Sequence, residues 1–177
     1  MALLKPREFK TSFFDIDFKD YYNKGFREIL LDIDNTLAPY NNLVLNDNQL
    51  SFIKNVLNIG FRIFLFSNNS PENIKPLAEK IGVNYMGHVY KPFSFGYHKF
   101  FKEYNPNKNE IICIGDQLLT DVVGANILGL YSIYTDPLTL TDKNVTFLSR
   151  SFERFWFKFI YKRKHRFNKG YVKQQTN

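Results

Sequence analysis

Short apolar runs alternate with longer segments of mixed polarity along most of this chain. Glu28–Asp32 (EILLD), Phe61–Phe66 (FRIFLF), Ile111–Gly115 (IICIG) and Leu130–Tyr134 (LYSIY) are brief, strand-favouring and bounded by turn residues, which predicts buried strands. Helical patterns lie between them. Asp47–Asn58 places Leu50, Ile53, Val56 and Leu57 on one face. Pro71–Lys80 opens on Ser70-Pro71-Glu72, a capping residue and first turn, and stops at Gly82. Ser94–Tyr104 and Leu118–Leu128 follow, the second closed by Gly129. Strands alternating with helices predict an α/β fold, a Rossmann-like parallel sheet wrapped on both faces. The segment before Glu28 reads as one short helix near Phe18–Asn23 covering a sheet edge.

The 177 residues suit a single domain with a real core, and no internal repeat or low-complexity linker divides them. The core is expected over about 26–140, with a basic, aromatic C-terminal helix and tail over about 144–177. A hydrophobic content of 44% with 23% charged residues excludes a disordered chain. One cysteine, Cys113, excludes an internal disulfide and a multi-cysteine metal site; within Ile111–Ile114 it reads as a small core residue. No apolar run is long enough to span a membrane, and Met1–Lys10 is too short for a signal-peptide core, so a cytoplasmic location is expected.

Charge is uneven. The net charge is +7, yet Ser149–Asn177 alone holds nine Lys/Arg and one acid, so the rest of the chain is almost neutral. A basic end on a neutral body suggests an anionic partner surface, lipid or nucleic acid. Taken as a helix, Arg150, Arg154, Lys158, Lys162 and Arg166 form a drifting stripe, and Phe152, Phe155, Trp156, Phe159 and Ile160 take much of the other side. That is the make-up of an interfacial helix on anionic lipid. The blander alternative docks the aromatics on the sheet, and RNA is a third partner, ranked below lipid.

Function in open α/β sheets collects at the carboxyl ends of strands. Four polar groups stand there: Asp32-Ile33-Asp34-Asn35-Thr36-Leu37, Ser67-Asn68-Asn69, Lys91-Pro92, and Gly115-Asp116 through Asp121. Phosphoryl transfer through a carboxylate needs an ionised nucleophile, a second acid/base group, a divalent cation and donors around the phosphoryl oxygens. These four groups supply that set. Asp32 and Asp34, two apart on an extended stretch, point to one side of it. Singly the signals are weak: a DxD is often a pair of turn acids, Ser67-Asn68-Asn69 a generic turn, and Lys91 a solvated lysine. Their combination and order carry the inference.

The order Asp32-x-Asp34-x-Thr36, Ser67, Lys91, Gly115-Asp116-x₄-Asp121 resembles the haloacid dehalogenase superfamily of phosphatases, over roughly Glu28 to Pro137. The phrases LDIDNTL, FSNN, KP and GDQLLTDVVGAN, with the preceding FFDIDFKDYYNKGFREI, are similar to its YqeG-type branch. Relatives in that branch include mitochondrial enzymes that dephosphorylate phosphatidylglycerophosphate. The resemblance implies Asp32 as a nucleophile forming an aspartyl-phosphate. It implies Asp34 as general acid/base and as a Mg²⁺ ligand through its main-chain carbonyl. Ser67 and the Asn68 amide would hold the phosphoryl group and Lys91 would neutralise it. Asp116 would be the side-chain Mg²⁺ ligand, beside Asp32, with Asp121 supporting the metal water or Lys91.

Other residues read more plainly. Thr36 is a helix or loop cap, His88 and His98 are loop and helix-surface residues, and His165 belongs to the tail. Three scattered histidines argue against zinc. Phe93, Phe95 and Tyr97 read as core or pocket wall ahead of a stacking site. Only 30 residues separate Thr36 from Ser67 and 23 separate Ser67 from Lys91, each gap nearly filled by one helix and one strand. The fold is therefore expected to be capless, with an open site that accepts phosphate on something large. The expected function is Mg²⁺-dependent hydrolysis of a phosphomonoester, on a phosphatidylglycerophosphate-like lipid, by a protein peripheral to the inner membrane face. The alternatives are a phosphatase of nucleic-acid ends or phosphoproteins, and an RNA- or ribosome-binding module. A phosphorylated receiver domain leaves the paired acids of DxDNT unexplained.

Overall fold

A computed structural model of the chain describes residues 2–40 and 42–139. The basic segment expected to form a helix and tail, with the stripe from Arg150 to Arg166, lies outside the described residues.

Six strands form one sheet: β1 (Glu8–Lys10), β2 (Glu28–Leu31), β3 (Arg62–Phe66), β4 (Asn84–Met86), β5 (Ile111–Gly115) and β6 (Tyr131–Thr135). Their spatial order is β1-β6-β5-β2-β3-β4, and every neighbouring pair is parallel. The helices are α1 (Phe18–Asn23), α2 (Asp47–Ile59), α3 (Pro71–Ile81), α4 (Phe95–Tyr104) and α5 (Val123–Ile127). The expected α/β parallel sheet is present, and its central strands β2 and β5 are buried at every position, as both faces are covered.

Strand alternation sorts the core. Ile29, Leu31, Ile63, Leu65, Ile112 and Ile114 pack on one face with residues of α1, α2 and α3. Leu30, Phe64, Phe66, Ile111 and Cys113 pack on the other with Tyr97 and Phe100 of α4 and Ala125 of α5. Cys113 is the buried core thiol expected, and burial pushes its pKa up, which keeps it inert. The gap after Thr36 holds α2 and β3, and that after Ser67 holds α3 and β4. No cap domain is inserted among the described residues.

Local chemistry sets the element ends. Asn46 and Gln49 form a reciprocal capping box at the start of α2. Pro71 opens α3, whereas Ser70 makes no side-chain capping bond. The expected helix from Leu118 is a π-turn over Leu118–Val122 that continues into the short α5. The N-terminal segment also differs from expectation. Its helix spans Phe18–Asn23, but it lies against α2 on a sheet face, and β1 extends the sheet beyond β6.

Glu8 fastens that added strand. Its carboxylate accepts hydrogen bonds from Tyr21 of α1 (2.8 Å) and from Tyr131 of β6, and pairs with Lys10 (3.1 Å). Burial pushes the Glu8 carboxyl up, but these bonds and the Lys10 charge outweigh it, and the net shift is downward. A lowered folded-state pKa gives stability that is present above the unfolded value of about 4.3 and lost as pH falls through the folded one. Glu8→Gln is therefore expected to cost about 1 kcal/mol near neutral pH and much less at about pH 3. Urea unfolding of both proteins at the two pH values checks this; an equal gap at both contradicts it.

Candidate active site

Parallel strands place all their carboxyl ends along one edge, and the predicted residues meet there. Asp32 follows β2 and is buried, and its N–H continues the sheet by donating to Ile114 O (2.9 Å). The chain then turns tightly: the N–H groups of Thr36, Leu37 and Ala38 all donate to Ile33 O, at 3.2, 3.0 and 3.1 Å. Asn35 takes the left-handed conformation this turn requires, with φ 63°, which asparagine tolerates better than most residues. Asp34 in the same turn is half-buried, near enough for its charge to act on Asp32.

Lys91 is the hub. Its ammonium donates to Asp32 Oδ1 (2.6 Å), Asp121 Oδ1 (2.6 Å) and Phe66 O (2.8 Å). Three acceptors match its three N–H donors and fix its position. Asn68 grips the Lys91 main chain from both sides, accepting from its N–H (2.6 Å) and donating to its carbonyl (3.0 Å). The Asn68 side chain thus acts on the lysine loop, and a phosphate donor from this residue would be its main-chain N–H. Ser67, buried after β3, is held through its N–H to Met86 O (3.1 Å) and its carbonyl to Val89 N–H (3.3 Å). Its hydroxyl accepts from Asn69 N–H (3.0 Å), which leaves the hydroxyl proton able to donate.

On the other flank, Asp116 follows β5 and is fully buried, and Thr36 Oγ1 donates to its Oδ1 (3.3 Å). The expected role of Thr36 as a simple cap is corrected: this hydroxyl positions a carboxylate on a neighbouring strand. Asp121 comes from the π-turn, whose wider winding turns it back over β5. Its Oδ2 accepts from Gln117 N–H (3.1 Å), so each of its oxygens has a partner. A Cβ on Gly115 would lie 2.2 Å from Asp121 Cγ, so only glycine permits this approach.

Electrostatics explain why the cluster suits a cation. Burial pushes the Asp32 carboxyl well above the usual range; Lys91 opposes this, and the Asp121, Asp116 and Asp34 carboxylates add to it. Lys91 is itself raised: burial works against its charge, but Asp121 and Asp32 prevail. Carboxylate oxygens of Asp32, Asp116 and Asp121 lie within 4.8 Å of one another. A dense set of hard oxygen donors with one ammonium fits Mg²⁺. Both Asp121 oxygens are engaged, by Lys91 and Gln117, so Asp32 and Asp116 would be the ones to hold the ion directly.

The remaining aromatic and histidine residues separate. Tyr97 is buried against Phe66 (ring centroids 4.8 Å apart), as expected of core. Phe93 and Phe95 do not belong to the core: they are 72% and 66% exposed, Phe93 just before α4 and Phe95 as its first residue, and of the three only Tyr97 packs on the sheet. His88 and His98 are exposed on a loop and on α4. Two features of the site escaped the sequence reading. One is the Thr36–Asp116 bond; the other is Asn35, whose side chain accepts from Tyr40 N–H (3.3 Å) and Thr139 Oγ1 (2.7 Å). The signal for the second was an asparagine directly after paired acids, where a left-handed residue suits a tight turn.

Known proteins resemble this chain in sequence and in fold. The sequence profile described as "Mitochondrial PGP phosphatase" matches residues 2–139. The chain is 27% identical over 149 residues to "Probable phosphatase YqeG" of Bacillus subtilis (strain 168), covering 84% of this chain and 87% of the relative. It is 28% identical over 137 residues to "Phosphatidylglycerophosphate phosphatase 1, chloroplastic/mitochondrial" of Arabidopsis thaliana, covering 72% of this chain and 39% of that protein. A crystal structure of an uncharacterized protein from Listeria monocytogenes serotype 4b shares the fold, with a TM-score of 0.51 and 18% identity over 62% of this chain and 78% of that one. The chain belongs to the mitochondrial PGP phosphatase family and is a phosphatase.

Proposed function

We propose that this phosphatase hydrolyses a lipid-borne phosphomonoester by way of a phosphoryl group carried on Asp32, with Mg²⁺ as cofactor. The observation that carries the reading is the Lys91 ammonium, bonded to Asp32 and Asp121 at 2.6 Å each beside the buried Asp116. It is the charge pattern that a phosphoryl group needs next to a carboxylate nucleophile.

An Asp32 carboxylate oxygen attacks phosphorus and the ester P–O bond breaks. Asp34 gives its proton to the departing oxygen. Asp34, now a carboxylate, takes a proton from water as the water oxygen attacks phosphorus. The bond to Asp32 breaks, and inorganic phosphate and free Asp32 result. Lys91 and the Ser67 hydroxyl, with the Asn68 main-chain N–H, balance and orient the phosphoryl oxygens. Thr36 holds Asp116, and Asp121 holds Lys91. Asp32, Asp116 and the Asp34 carbonyl would hold Mg²⁺, whose charge would offset repulsion between the carboxylates and the substrate phosphate.

Substrate class follows from access. With no cap domain among the described residues to close over a small molecule, the site suits phosphate on something large. The Arabidopsis relative is named for phosphatidylglycerophosphate, which supports a lipid. The basic charge of 149–177 supports a peripheral place on an anionic membrane. No helix among the described residues is long and apolar enough to cross one.

A phosphate-release assay tests this reading. Phosphatidylglycerophosphate in mixed vesicles is expected to be cleaved faster than a 5′-phosphorylated oligonucleotide or a phosphopeptide. Release should stop in EDTA and return with Mg²⁺. Full-rate release in EDTA contradicts the metal assignment, and preference for the oligonucleotide or peptide contradicts the lipid assignment.

A further inference from the structure

The turn that carries Lys91 inward carries aromatic rings outward. Phe93 N–H donates to Tyr90 O (2.9 Å) and closes the turn Tyr90-Lys91-Pro92-Phe93. Lys91 is buried inside the site while Tyr90, Phe93 and Phe95 are 54%, 72% and 66% exposed. The Tyr90 ring lies between His88 (stacked, 6.0 Å) and Phe95 (tilted, 6.5 Å). His88 and Tyr90 both hold left-handed backbone, at φ 49° and 55°, which residues with bulky side chains rarely adopt. A constrained loop is therefore presenting these rings to the outside. Six large hydrophobic residues are exposed among those described; Val44, Tyr90 and Phe93 lie on loops at the carboxyl end of the sheet and Phe95 opens α4 there, which concentrates apolar surface around the site.

We infer that this aromatic turn is a membrane-docking surface, seating in the interfacial layer of an anionic bilayer so that a headgroup phosphate meets Asp32. The inference rests on the lipid reading above and adds the structure that delivers the enzyme to its substrate. Three further observations favour a bilayer. The helix that follows the turn, α4, exposes Lys99 and Lys102, against Glu103 alone among its exposed acids. The last described residues lie at the same end: Leu138 N–H donates to Asn35 O (2.9 Å) and Thr139 Oγ1 to Asn35 Oδ1 (2.7 Å), and the nine Lys/Arg of 149–177 follow them in sequence. Distance also fits. Phe93 is two residues from Lys91, about 7 Å at most along the chain, so a ring in the interfacial layer leaves Lys91 at headgroup level.

The test uses the full chain with its natural Trp156 replaced, Trp156→Phe, and Phe93→Trp as the reporter. In buffer the reporter is expected to be quenched freely by iodide. Vesicles of phosphatidylglycerol and phosphatidylcholine, containing no phosphomonoester, should shift its emission to the blue and shield it. In the otherwise wild-type chain, Phe93→Ser/Phe95→Ser should lower binding to the same vesicles by about tenfold or more with unchanged turnover of p-nitrophenyl phosphate. A reporter already shielded in buffer overturns the inference, because the chain itself then covers the patch. A shift with single-stranded RNA and none with vesicles overturns it in favour of base stacking. Cleavage of vesicle-borne lipid phosphate with no shift overturns docking while sparing the lipid substrate. The reverse, a shift without lipid cleavage, sustains docking and rejects the substrate.

Discussion

Asp32→Asn is expected to fold normally and to lose turnover by about 10⁴-fold or more, equivalent to about 5.5 kcal/mol of transition-state stabilisation. An amide does not attack phosphorus as a carboxylate does, so the covalent route closes. The fold should survive for a specific reason. The amide oxygen of asparagine still accepts from the Lys91 ammonium, which bonds Asp32 Oδ1 in the wild type. The change also removes one negative charge from a buried cluster in which Asp116, Asp121 and Asp34 crowd it. The melting temperature should equal or exceed that of the wild type, while phosphate release on every substrate falls together. Calorimetry and a phosphate assay on the same preparation check both halves. Equal activity in a folded variant would overturn the mechanism.

Lys91→Met is expected to do the opposite to stability and the same to activity. It removes the ammonium shared by Asp32 and Asp121 and leaves both carboxylates buried without it. Removing one member of a buried ion pair typically costs about 3–5 kcal/mol, and the loss here should lie in that range. Adding Asp121→Asn should recover part of it, since one stranded charge is then gone, yet activity should not return. That split separates the structural role of the lysine from its role beside the substrate phosphate. A variant as stable as the wild type would contradict the pairing described here.

Much of this site was legible in sequence because a parallel sheet gathers its strand ends. IICIG is a continuous apolar run bounded by a polar turn, and β5 has the predicted bounds of Ile111–Gly115. The acids, serine and lysine after such runs had to converge on one edge, whatever the angles of the helices. What could not be read depended on distant partners. β1 is three half-buried residues, EFK, with no alternation to betray it; it is a strand because Ile133–Thr135 lies beside it. Thr36 meets Asp116 eighty positions away, and nothing near Thr36 announces that bond. The π-turn was hidden because its apolar positions also satisfy an ordinary helix, and only the need to bring Asp121 onto Gly115 distinguishes the two. Phe93, Phe95 and Tyr97 alternate in sequence, but the packing of Tyr97 on Phe66 decides that the other two face outward.

If phosphate passes through Asp32, mass spectrometry of the acid-quenched enzyme will find it there. Wild-type protein mixed with excess substrate and Mg²⁺, then quenched within its first turnovers, should carry one phosphoryl group on the peptide containing Asp32. The label should vanish on chasing with buffer and be absent from Asp32→Asn. A turning-over enzyme whose label sits on another residue would rule out Asp32 as the nucleophile.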